Sequence, residues 1–69
     1  MGELPLAAVD RIIRKAAGIR VSEDSVAELA SILEEHGIKI SQTASEFAKH
    51  ANRKTITAAD IRLAMKNLQ

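Results

Sequence analysis

Arg53-Lys54-Thr55 places two adjacent cations and a hydroxyl in one short stretch, followed by Ile56 and then Thr57-Ala58-Ala59-Asp60. Side chains of these types suit phosphate, since guanidinium and ammonium groups neutralise it and a hydroxyl donates to its oxygens. The β-branched pair Thr55-Ile56 favours extended backbone. Thr57 with Asp60 three positions later is the signature of a helix N-terminus. A basic connection held rigid by helices on both sides has the chemistry to grip a phosphate backbone. Other chemistries are excluded by what is missing. There is no nucleophile–base pair, phosphate-binding glycine loop or metal cluster, so neither an enzyme nor a cofactor is expected. Cysteine is absent, which removes disulfides and thiolate metal sites. His36 and His50 are too few for a zinc site without help from carboxylates. Phe47 is the one aromatic residue, which argues against single-strand binding by base stacking.

The net charge of +1 is small, but its distribution is not even. Residues 1–20 carry Arg11, Arg14, Lys15 and Arg20 against Glu3 and Asp10, a balance of +2. Residues 21–46 carry Lys39 against Glu23, Asp24, Glu28, Glu34, Glu35 and Glu46, a balance of −5. Residues 47–69 carry Lys49, Arg53, Lys54, Arg62 and Lys66 against Asp60, a balance of +4. Positive charge sits toward the two ends and the middle is acidic, so local patches matter more than the sum.

Three helices are expected to position these groups. Pro5 fits the first turn of a helix, and Leu6, Val9, Ile12, Ile13 and Ala16 follow with helical spacing up to Gly18 as the stop. Ser22 is a good N-cap, with Glu23 and Asp24 at the positive end of the next helix dipole. From Glu23 to about Ala51 there is no proline. Val26, Leu29, Leu33, Ile40, Ala44, Phe47 and Ala51 keep one apolar stripe, which Ile32 widens. Read as one helix, this segment is about 43 Å long; a break at His36-Gly37 is the alternative. The last helix starts after Thr57 and uses Ile61, Leu63, Ala64, Met65 and Leu68. Residues 1–69 thus form one all-α domain, small enough to bury only about 60% of its unfolded surface. Short helices cover only part of a helix more than twice their length, so a second copy with crossing long helices is expected. No apolar run approaches the ~20 residues of a membrane helix. Met1-Gly2-Glu3-Leu4-Pro5 lacks the basic flank of a secretory signal, and lack of cysteine fits a cytosolic protein.

These segments resemble the histone fold, specifically the short, tail-less archaeal histones. The resemblance rests on Glu3-Leu4-Pro5-Leu6, Val9-Asp10-Arg11-Ile12-Ile13-Arg14-Lys15-Ala16, Arg20-Val21-Ser22, and Leu33-Glu34-Glu35 with Gly37. It continues through Phe47-Ala48-Lys49-His50-Ala51, Arg53-Lys54-Thr55-Ile56 with Ala59-Asp60-Ile61, and Leu63-Ala64-Met65. It implies an intertwined handshake dimer, of this chain or with a paralogous histone, that wraps and compacts duplex DNA in a cytoplasmic, chromosome-associated (nucleoid) setting. By the same resemblance, Arg11 and Arg14 face phosphates from the first helix and Arg20 reaches into the minor groove. Lys54 and Thr55 hold the backbone, and Arg53 and Asp60 form an internal ion pair. Phe47, His50, Asp60 and Leu63 join one dimer to the next, giving tetramers or longer arrays.

Each residue taken alone has a plainer reading. Arg11, Arg14 and Lys15 read as the solvated face of an amphipathic helix, Lys54-Thr55 as an ordinary loop, Arg20 as a solubilising turn residue. Phe47 and Leu63 read as dimer core, His50 as a surface histidine, Asp60 as a helix cap. The competing function is a histone-fold interaction subunit that pairs with another protein and touches no DNA. The sequence departs from the family pattern at Ala16-Ala17-Gly18-Ile19-Arg20, where the glycine sits one place late and Ile19 is expected to be exposed. Asn52 stands where a glycine is common, and asparagine tolerates left-handed backbone. Neither change replaces a residue that the resemblance assigns to DNA; both bear on how closely dimers stack.

Overall fold

Proline and glycine bracket the first helix. In the computed structural model, which describes residues 3–68, α1 runs Leu6–Ala17, α2 Glu23–His50 and α3 Ala58–Asn67. Pro5 lies one position outside α1 instead of in its first turn, with ψ at 117°. The reason is upstream: the amides of Glu3 and Leu4 donate to Glu34 Oε1 at 2.6 and 2.9 Å, which keeps the entering chain extended. The Pro5 carbonyl then accepts from Ala8 and Val9, so the first turn is satisfied without a side-chain cap. At the other end Gly18 takes a left-handed conformation, φ 68°, and its amide donates to the Arg14 carbonyl at 2.8 Å. Ser22 caps α2 by accepting from the Ser25 amide at 3.2 Å.

α2 is a single helix of 28 residues, about 42 Å long, and it passes through Gly37 without a break. The chain sorts into two compact units whose boundary falls within this helix, residues 1–35 and 36–69. In the first unit Val9, Val26 and Ala30 are buried, with Leu4, Ile13, Val21 and Leu29 packed against them. In the second, Ala44, Ala48, Ala64 and the carboxylate of Asp60 are buried. Among the described residues the buried apolar side chains are therefore two valines and four alanines. Of the long stripe, Val26 and Ala44 are buried and Leu29, Ile40 and Phe47 half-buried, but Ile32, Leu33 and Ala51 are exposed. In α3, Ile61, Leu63 and Met65 stay exposed around a buried Ala64, as does Leu68 at its C-cap. Two helices of 12 and 10 residues do not have the length to cover the apolar face of one with 28. No helix of the described residues is long and apolar enough to cross a membrane.

Among the described residues, and apart from the backbone of its own helical turn, a Cβ added at Gly37 meets nothing within 4 Å. Gly37→Ala is accordingly expected to raise the stability of α2 by about 1 kcal/mol in urea unfolding. A loss instead would show that another molecule approaches the helix backbone at that point.

Candidate nucleic-acid interface

The segment between α2 and α3 is built by hydrogen bonds at both ends. α2 closes on Asn52, which adopts φ 59° and donates to the Lys49 carbonyl at 3.0 Å. The next amide, of Arg53, reaches back to the Ala48 carbonyl at 2.9 Å. This pair of bonds with a left-handed residue is a Schellman closure, with asparagine in the place usually taken by glycine. α3 opens with a reciprocal capping box. Thr57 Oγ1 accepts from the Asp60 amide at 3.3 Å, and Asp60 Oδ2 accepts from the Thr57 amide at 2.9 Å.

Arg53 ties the two ends together. Its Nη1 and Nη2 donate to Asp60 Oδ2 and Oδ1 at 2.7 and 2.9 Å, and Nη1 also donates to the Thr55 carbonyl at 3.1 Å. The fork is bidentate, so it sets orientation as well as distance. Asp60 is buried. The Arg53 guanidinium, and after it the Thr57 amide, hold its carboxyl well below the usual carboxylate range, with burial opposing them. The same bond raises the Arg53 guanidinium further above its already high value. With Arg53 engaged internally, Lys54 and Thr55 are left exposed in the bend. Neither has a hydrogen-bond or ion-pair partner through its side chain among the described residues.

The cations of the first unit are arranged differently. Arg11 is exposed and unpaired among the described residues. Arg14 donates through Nε to Asp10 Oδ1 at 3.0 Å, one helical turn away, an exposed pair of small energetic weight that still orients the guanidinium. Arg20 follows the Gly18 turn, and Arg14, Gly18, Ile19 and Arg20 line one open concavity. His50 is exposed at the last position of α2, Phe47 is half-buried one turn earlier, and Leu63 is exposed on α3. Asp60 differs from these three in spending its carboxylate within its own loop. Sequence reasoning missed two contacts. The Asp10–Arg14 pair was legible in the spacing of four. The hold of Glu34 on the amides of Glu3 and Leu4 was not, because it joins residues about thirty apart.

A short–long–short arrangement of helices, with basic side chains presented from a braced connection, defines a histone fold. The family described as histone-like transcription factor (CBF/NF-Y) and archaeal histone matches residues 2–65, and the chain belongs to it. It is 56% identical over 66 residues to an archaeal histone HAN1 subunit of Thermococcus zilligii, covering 96% of this chain and 98% of that one. It is 41% identical over 66 residues to probable archaeal histone 3 of Methanocaldococcus jannaschii, with the same coverage. It is also 37% identical over 67 residues to a histone-like protein of Mus musculus, covering 96% of this chain and 64% of that protein.

The depressed Asp60 carboxyl fixes the sign of a pH effect. The stability it contributes is fully present above the ordinary carboxylate pKa, about 4, and is lost as pH falls below it. Asp60→Asn is expected to lower the thermal midpoint at neutral pH. Between pH 4 and 2 its stability should fall less steeply than that of the wild type. Parallel acid profiles for the two proteins would show that the pair contributes nothing to folding.

Proposed function

We propose that this chain binds duplex DNA without reading its base sequence, and wraps and compacts it as a two-fold handshake dimer that joins further dimers along the DNA. The observation that carries this reading is the loop at 53–57, where Arg53 is used to brace the turn and Lys54 and Thr55 are left free. A rigid loop holding one ammonium and one hydroxyl in fixed relation suits a phosphodiester, whose spacing along the strand is regular. Membership of a family that includes archaeal histones supports it.

In this reading Arg11 and Arg14 approach phosphates from α1, with Asp10 orienting Arg14 through its Nε. Arg20 enters the minor groove where it faces the protein, and Lys54 and Thr55 hold the flanking backbone. Binding of this kind bends DNA through inward-facing arginines and backbone contacts. Bendability then governs which sequences are preferred. The exposed leucine, isoleucine and methionine side chains support a second copy as the remaining cover for α2. Phe47, His50 and Leu63, with the edge of Asp60, form the surface through which dimers join. The protein then works on the chromosome in the cytoplasm.

One observation favours a second reading. The matching family also takes in histone-like transcription factors, which leaves room for a subunit that pairs with another protein and does not wrap DNA. The two readings part on salt dependence and protection. A DNA-wrapping dimer should show log affinity falling linearly with log salt, by about 0.9 per phosphate neutralised. Arg20→Ala with Lys54→Ala should lower that slope and abolish bending in a circularisation assay, with helicity unchanged by circular dichroism. Digestion of long saturated DNA by nuclease should leave evenly spaced protected fragments. A well-folded wild-type dimer giving no protection at low salt would leave pairing with another protein as the function.

A further inference from the structure

Among the described residues Ile19 is the most exposed of the large apolar side chains, at 71%. Its position is set by the left-handed Gly18 immediately before it, around which the space is open. It also lines one open concavity together with Gly18 and two cationic residues, Arg14 and Arg20. The complementary ligand must carry negative charge and an apolar face at side-chain spacing. The sugar–phosphate edge of a DNA minor groove has both, with anionic oxygens bordering the apolar faces of deoxyribose.

We infer that Ile19 is a second minor-groove contact, packing against deoxyribose beside Arg20 and wedging the adjoining base step open. The inference rests on the DNA-wrapping reading above and adds a selectivity to it. Apolar wedges in the minor groove partly unstack a base step. That deformation is least costly at pyrimidine–purine steps and most costly in stiff A-tracts. The loop thereby favours DNA that presents a flexible step at each inward-facing minor groove. Ile19 makes no contact with phosphate, so its contribution is independent of counterion release.

The test uses the full chain, a duplex long enough for one dimer only, and two versions of it, with TpA steps or an A-tract where the minor groove faces inward. Ile19→Ser should weaken binding to the TpA duplex about tenfold, the scale of burying much of one isoleucine. The slope of log affinity against log salt should stay unchanged, the preference between the two duplexes should shrink, and Ile19→Val should restore most of it. Wild-type affinity and preference in Ile19→Ser would overturn the inference and leave the DNA-wrapping reading intact. So would a weakening seen only on long DNA, which would place Ile19 between neighbouring dimers. Weaker self-association of Ile19→Ser by sedimentation without DNA would mean that a second copy covers the side chain, again overturning it. A wild-type protein that fails to bind either duplex at low salt would remove the DNA-wrapping reading, and this inference with it.

Discussion

Three donors converge on the Asp60 carboxylate: two guanidinium nitrogens of Arg53 and the amide of Thr57. The second connection depends on this convergence. Asp60 belongs to the first turn of α3, Thr57 is its N-cap and Arg53 follows the closure of α2, so one carboxylate fixes where one helix ends and the next begins. Burial of the acid makes the arrangement all or none, because losing one partner leaves an uncompensated charge. The same bonds also divide the two adjacent cations. Arg53 becomes structural, and Lys54 is left exposed beside it.

A different constraint governs the rest of the molecule. The small side chains that are buried allow close approach of helices but supply little apolar area per residue. Many of the large ones, among them Ile12, Ile32, Ile61 and Leu63, are left on the surface in both compact units. Within a single chain this is a poor arrangement, and it becomes a good one only if another surface of similar character covers it. Size makes the point sharper, because a domain of this length has little stability to spare even when its core is complete.

Much of this was readable from residue types because it is local. Gly18 ending α1, Ser22 capping α2, and Thr57 pairing with Asp60 each depend on residues within one or two turns, where spacing alone determines the geometry. The continuity of α2 through Gly37 was readable from the phase of its apolar stripe. Burial was not readable. Periodicity identifies which residues share a face but not whether anything lies against it, so Leu33, Ile61 and Leu63 carry the core pattern and remain exposed. Pro5 sits further out because of Glu34, about thirty residues away, and no local rule reports such a partner. At the loop, spacing showed that Asp60 caps α3. The division of labour between Arg53 and Lys54 depends on the reach of a guanidinium across the turn, which spacing does not contain.

The position of the boundary between the two units, inside α2, has a kinetic consequence. Each unit closes on its own portion of one helix, and the longest hydrogen bond described spans 31 residues. Contacts of this kind between packed helices form in microseconds to milliseconds. If completion of the structure awaits a second molecule, the encounter of two half-finished chains becomes the slow event. The folding time of this protein is then set by its concentration.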